Sequence, residues 1–268
     1  MPDYPRLLRY LIDSRRPDVV MISNSELAYL ILPYLRTHCP APVYVDYNHM
    51  EETYWKNGGH PRHGAGMQSQ LDLNMVSSAH LKRWMTSRGG DPTRIEVCRT
   101  NVDTKAWKPD EALRRIMREE LELDDDTVAL FYPVRLTAQK QPRVFADSIR
   151  RLRDRLRGTE AKFVALVAGD GEDRPAVERF IREHRLHDHI RLLGPVPIAK
   201  MPGMYNAADI LFLPSMQEGI ALSLYEAMAC GKPVVGAVVG GQAELVVDGT
   251  GYLLPLLDDK AAEADRYA

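Results

Sequence analysis

The chain has 268 residues, 45% hydrophobic and 27% charged, with a formal net charge of -2. That is globular composition, long enough for about two domains, and the near-neutral balance gives no reason to expect a nucleic-acid partner. Three scattered cysteines, Cys39, Cys98 and Cys230, make no Cys-x-x-Cys pair, which supports neither a disulfide framework nor structural zinc and fits a reducing, cytoplasmic compartment. No apolar run approaches the ~20 residues of a membrane span. The opening "MPDYPRLLRYLIDSRRPD" is charged where a signal peptide needs an apolar stretch.

In chain order, "PDVVMIS" (Pro17 to Ser23) reads as a buried strand and "ELAYLILPYLRTH" as the helix after it. "APVYVDYN" and "LDLNMVSS" are further strands, "AHLKRWMTSRGG" is a helix closed by glycines, and "RIEVCRT" is another candidate element. The polar run from Asn101 to Asp126 breaks the pattern and predicts a linker with a short surface helix. Alternation resumes with "TVALFYP", the helix "QPRVFADSIRRLRDRLRG", "KFVALVAGD", the helix "RPAVERFIREHRL", "HIRLLGPV", the helical "AKMPGMYNAAD" and "ILFLPS". Strands alternating with helices predict βαβ units and parallel sheets covered on both faces. The expected organisation is a partial Rossmann-like domain over 1–104, a linker over 105–126 and a second Rossmann-like domain over 127–268. No internal repeat is visible.

Ligands of open α/β sheets bind beyond the carboxyl ends of the strands. After "TVALFYP" stand Arg135 and Lys140, two cations that suit a phosphate near a helix N-terminus. After "KFVALV" stand Gly169 and Gly171, in a tight turn of a common kind. After "ILFLPS" stand Glu218 and Gly219, with a helix expected near Ile220. Glu218 could simply cap that helix, and Glu226, two turns on, could be an ordinary exposed helix residue. In the helix from Gln141 to Gly158, Phe145, Ile149, Leu152 and Leu156 form one apolar stripe. Its arginines 143, 150, 151, 153, 155 and 157 read as a solvated face, with docking on an anionic membrane surface as the alternative. "GGHPRH" puts His60 and His63 on a glycine-rich loop, thin evidence for metal, and none is expected.

The segments "VRLTAQKQ", "GDG", "PSMQEGIALSLYEAMACGKPVV" and "GGQAE" occur in that order. Together, over about Val128 to Pro255, they resemble the C-terminal domain of glycosyltransferase family 4, retaining enzymes of the GT-B fold. Upstream, "RPDVVMIS", "VYVDYNHME", "NMVSSAHLKRW" and "RIEVCRTNVDTKAWKP" resemble later parts of that family's N-terminal domain more loosely. The resemblance implies a nucleotide diphosphate sugar as donor substrate. Glu226 would then accept from the ribose hydroxyls and Glu218 would face the sugar. Arg135 and Lys140 would neutralise the departing diphosphate, with no metal and no resident cofactor. Gly169, Gly171 and Gly219 would belong to the same nucleotide-sugar site, and His49 would match a histidine that contacts the donor sugar. The acceptor would be a glycan, lipid or small-molecule hydroxyl.

Three departures stand out. Val134 replaces a glycine and is expected to crowd the phosphate, "TNVD" replaces Asn-Gly-Val-Asp, and Ile220-Ala221 replaces Phe-Gly. The chain also reads as a central piece of such an enzyme, short at both ends, with its second domain lacking closing helices. "PDVVMIS" would then be an unprotected edge open to self-association. Beside the transferase reading stand a non-catalytic nucleotide-sugar-binding module or inactive fragment, and a sugar-nucleotide epimerase of the same fold.

Overall fold

The alternating apolar and amphipathic segments resolve into two parallel sheets. The structure, a computed structural model, describes residues 3–52, 55 and 57–268, which divide into two units between Thr100 and Asn101.

The first unit runs α1 (Tyr4–Arg15), β1 (Val19–Ser23), α2 (Glu26–His38), β2 (Val43–Asn48), α3 (Gly59–Gly66), β3 (Leu73–Val76), α4 (Ala79–Ser87) and β4 (Ile95–Val97). Its strands pair in sequence order, β1-β2-β3-β4, all parallel. Ser25 and Ser78 cap α2 and α4 by accepting from Ala28 and Leu81 backbone N–H groups, the usual way to satisfy first-turn donors. Under β2, Asp46 is fully buried and accepts from Tyr29 Oη (2.8 Å), Asn48 Nδ2 (2.9 Å) and Asn74 Nδ2 (2.8 Å). Burial pushes its pKa up, and those donors pull against the rise. β1 differs from the buried strand expected. It has one neighbour, and Val19 and Met21 are 51% and 55% exposed. α1 and α3 were not foreseen, because one lies in a charged N-terminal run and the other in a Gly-His-Pro segment of loop-like composition.

The second unit runs α5 (Glu111–Glu120), β5 (Thr127–Pro133), α6 (Pro142–Arg155), β6 (Lys162–Ala168), α7 (Arg174–His184), β7 (Ile190–Gly194), α8 (Met201–Ala207), β8 (Ile210–Leu213), α9 (Leu222–Ala229), β9 (Val234–Ala237), β10 (Gly251–Leu254) and α10 (Lys260–Tyr267). The sheet order is β10-β9-β8-β5-β6-β7, again all parallel. β5 and β6 are both interior strands. Ala129, Phe131, Tyr132, Val164, Ala165 and Leu166 are essentially inaccessible there, as a sheet covered on both faces requires. On α6, Phe145 and Ile149 are buried and Leu152 and Leu156 pack against the same core, as the stripe predicted.

Two expectations change here. The run 105–126 is not a free linker, since α5 docks on the second unit through its arginines. Arg114 reaches the carbonyls of Asn206, Ala207 and Ala208 and pairs with Asp209 at 2.7 Å. Arg118, 3% exposed, donates to the carbonyls of Ala207 (3.0 Å), Asp124 and Thr127 (2.7 Å). A charged helix surface hid this, because the buried faces of its arginines are satisfied by backbone carbonyls rather than apolar contacts. A helix also follows β10, and α10 lies against α6 through Arg151–Asp265 (3.0 Å) and Arg155–Asp265 (2.9 Å).

Arg118→Ala should destabilise the second unit by about 3–5 kcal/mol, because Asp209 and several carbonyls lose a buried cationic partner. Denaturant unfolding read by hydrogen exchange at β5 and β8 amides measures this. A change below about 1 kcal/mol, the scale of an exposed ion pair, would mean that α5 is only loosely attached.

Candidate functional site

The loop after β5 is knitted to the loop after β6. Val134 N donates to Ala168 O (3.0 Å), Leu136 N to Asp170 O (3.0 Å) and Asp173 N to Leu136 O (2.9 Å). These backbones approach so closely that a Cβ on Gly169 would lie 2.0 Å from Val134 O, and one on Gly171 2.3 Å from Leu136 O. The two glycines therefore serve loop-to-loop contact, and their empty Cβ positions face the neighbouring backbone. Between the knots, Arg135 is exposed, and its guanidinium has no hydrogen-bond or ion-pair partner among the described residues. The Val134 side chain is 7% exposed and sits within the core.

The same loop is tied to the loop after β8. Lys140 Nζ meets Glu218 Oε1 at 2.5 Å, with side chains only 16% and 8% exposed. Met216 N donates to Gln139 O (2.8 Å), and Gln139 Nε2 donates to Gln217 O (2.8 Å). From below, the buried Tyr132 hydroxyl donates to Lys140 O at 2.5 Å. A third segment closes over Glu218. Gly241 N donates to Gly219 O (2.6 Å), and Gly240, at φ +52°, passes so near that a Cβ would lie 1.8 Å from Glu218 O. Glu218 does not cap the next helix. α9 begins at Leu222 with Ala221 at its N-cap and no side-chain cap, so its first-turn N–H groups lack a capping carboxylate. Ile220 and Ala221, with β-region geometry at Ala221, delay the helix start.

Glu226 lies one turn into α9 and accepts from Tyr205 Oη of α8 at 2.7 Å. Tyr205 is held edge-on by Phe131 and Trp107. Burial raises the Glu226 pKa above the ordinary glutamate value, and the Tyr205 hydrogen bond lowers it in part. The other carboxylate oxygen has no partner among the described residues.

In the first unit, His49 follows β2. Its Nε2 stands 3.0 Å from Ser23 Oγ, and its carbonyl accepts from Ser77 Oγ at 2.5 Å. Burial lowers its pKa, which keeps the ring neutral at pH 7. His60 and His63 lie in α3, the first against Trp55 and the second stacked near Tyr29 with Glu26 at 3.9 Å. Among the described residues no three His, Cys, Asp or Glu side chains stand together as a metal site, and no helix is long and apolar enough to cross a membrane. Five of the six arginines noted around α6 are engaged by Asp147, Asp154 and Asp265. Those three carboxylates are shared among five guanidinium groups, so the face keeps a positive excess.

The structure thus brings Lys140 and Glu218 into contact and gives Glu226 a buried phenol as partner. Sequence reading missed Tyr205, which looks like any helix aromatic, and it gave no role to Gly240 and Gly241 although "GGQAE" was in view. It also passed over Ser215, fully buried with its Oγ unpartnered at the head of the Glu218 loop.

Tyr205→Phe should move the Glu226 titration to higher pH, because it removes the hydrogen bond that opposes desolvation. Carboxyl-carbon NMR follows the midpoint. A midpoint that stays put or falls would show that the phenol does not hold this carboxylate.

Comparison with known proteins gives the site its context. The glycosyl transferases group 1 family matches residues 114–265, more than half of the chain. D-inositol 3-phosphate glycosyltransferase 2 of Catenulispora acidiphila is 34% identical over 166 residues, covering 60% of this chain and 38% of that protein. D-inositol 3-phosphate glycosyltransferase of Mycobacteroides abscessus is 33% identical over 198 residues, covering 72% and 43%. The chain thus spans about two fifths of the length of these curated relatives. Among solved structures, Anabaena Alr3699/HepE in complex with UDP superposes with a TM-score of 0.80 at 18% identity, covering 98% of this chain and 71% of that one. Sucrose-phosphate synthase of Thermosynechococcus elongatus gives 0.80 at 18%, covering 98% and 67%. These structural likenesses show the fold, with its two parallel α/β units of the GT-B class. With the family match over α5 to α10 and the motifs in the loops after β5, β6 and β8, the chain belongs to the glycosyl transferases group 1 family, which is retaining and of GT-B fold.

Proposed function

We propose that the second unit binds a UDP-sugar and supplies the donor half of a retaining glycosyltransferase acting on an acceptor hydroxyl. The observation that carries this reading is the Lys140–Glu218 pair, which joins a cation after β5 to a carboxylate after β8 at the carboxyl edge of the sheet. Open α/β sheets bind ligands at that edge. Arg135, exposed and unpartnered, is set to meet a diphosphate, and the uncapped start of α9 adds backbone N–H groups of the right polarity. As the sugar–phosphate bond breaks, negative charge grows on the diphosphate, and fixed cations stabilise it more than they stabilise the ground state. Glu226 has one free oxygen to accept from ribose hydroxyls, and Glu218 remains free on its second oxygen for a sugar hydroxyl. His49 of the first unit, as a neutral imidazole, can donate or accept one hydrogen bond.

UDP is the first nucleotide to test, because Anabaena HepE is solved with UDP and with UDP-glucose. An inositol phosphate is the first acceptor to test, because the curated relatives carry that name.

Calorimetry with UDP and with uridine separates the roles. Arg135→Ala or Lys140→Ala should weaken UDP about tenfold and leave uridine unchanged, because a charge-assisted phosphate contact contributes about 1.5–3 kcal/mol. Glu226→Ala should weaken both ligands by a similar factor. The raised Glu226 pKa adds a pH signature. Protonation on descending into the range above 4.5 removes the better acceptor, so wild-type affinity falls there and Glu226→Ala flattens that part of the profile. Equal losses of UDP and uridine in the Arg135 and Lys140 variants would remove the diphosphate from this site.

A further inference from the structure

Gln141 joins Lys140 to α6 and has backbone angles φ +55° and ψ +51°. That left-handed geometry is uncommon for a residue with a Cβ, and the following Pro142 further restricts the residue before it. Such a conformation persists only where the surroundings over-determine it. The surroundings here do so. Gln141 is 6% exposed, and its Nε2 donates both to Pro214 O (2.7 Å) and to Glu263 Oε1 (2.7 Å).

Pro214 opens the loop that carries Glu218. Glu263 lies in α10, is 1% exposed, and has its other oxygen taken by Lys260 Nζ (2.7 Å) and Leu257 N (3.1 Å). α10 is anchored in turn by Asp265 to Arg151 and Arg155, and by the contact of Tyr267 with Phe212 of β8. One side chain thus ties three segments together: the Lys140 loop, the Glu218 loop and α10.

We propose that Gln141 is a positioning residue for the donor diphosphate, and that α10, acting through Glu263, sets where Lys140 stands. This rests on the donor reading above. The left-handed turn fixes the direction of the chain leaving Lys140, and the two amide hydrogen bonds hold that turn against its own preference. Tyr132 holds the Lys140 carbonyl from the core side, so the ammonium is placed from both ends of its residue. A buried amide with both protons used, and a buried carboxylate whose two oxygens meet three donors, form a polar network that favours one geometry.

Three variants test this. Gln141→Gly relieves the backbone and removes the amide. Glu263→Ala keeps the backbone and removes the amide's anchor, while Glu263→Gln keeps an acceptor oxygen for it. In the ligand-free full chain, hydrogen exchange at Met216 N–H, which bonds Gln139 across the two loops, should quicken in Gln141→Gly and Glu263→Ala and stay at the wild-type rate in Glu263→Gln. In calorimetry, the first two variants should lose UDP affinity about tenfold with uridine unchanged. Adding Lys140→Ala to Gln141→Gly should cost no more than Lys140→Ala alone, because the glutamine acts through the lysine. The exchange arm needs no nucleotide. If the wild type ignores UDP but the variants exchange faster, the tie stands and only the donor reading falls. Unchanged exchange, or equal losses of UDP and uridine, overturns the proposal.

Discussion

A strand in a parallel sheet cannot be reached by a tight hairpin, so every strand is fed by a crossover and all the strand-to-helix loops collect at one edge. The second unit depends on this constraint. Its loops after β5, β6 and β8 come from sequence positions up to about 80 residues apart, as between Lys140 and Glu218. They arrive side by side because β8, β5 and β6 are neighbours in the sheet. Crowding at that edge then demands close backbone approach, and this is met by glycine at Gly171 and Gly240, where a Cβ would strike a neighbouring carbonyl.

Crowding also explains why the charged groups there are so fully engaged. Lys140 and Glu218 are nearly buried, and separating such a pair leaves two poorly solvated charges. On the donor reading proposed above, a diphosphate beside Lys140 would offer replacement negative charge, so the ion pair could be exchanged for ligand contacts without exposing a bare ammonium. Arg135 sits outside this arrangement, exposed and without an ion-pair partner among the described residues, so redirecting it breaks no such contact.

Polar residues hold the second unit together in places where composition suggests a loose surface. α5 is charged along most of its length, yet Arg114 and Arg118 pin it by reading the carbonyls at the end of α8. The arginine-rich face of α6 pairs with aspartates on α6 itself and on α10. Arginine can do this because its planar fork supplies several donors at once. A pattern of apolar positions cannot show such contacts. This is why 105–126 looked like a linker and α10 went unseen.

The sequence by itself determined the fold class and the family. Period and length marked the strands from β1 to β8, because buried parallel strands need unbroken apolar runs. The spacing of Arg135, Lys140, Glu218 and Glu226 around those strands marked the family, because the residues follow strand ends in a fixed order. Tertiary structure alone decided the partners. It paired Lys140 with Glu218 and Glu226 with Tyr205. It turned Gly169 and Gly171 toward a neighbouring backbone. It also locked Gln141 in a left-handed turn through Glu263, 122 residues away. Each of these depends on which loops lie adjacent once the sheet is assembled, and sheet order is a property of the packed core that local periodicity does not encode.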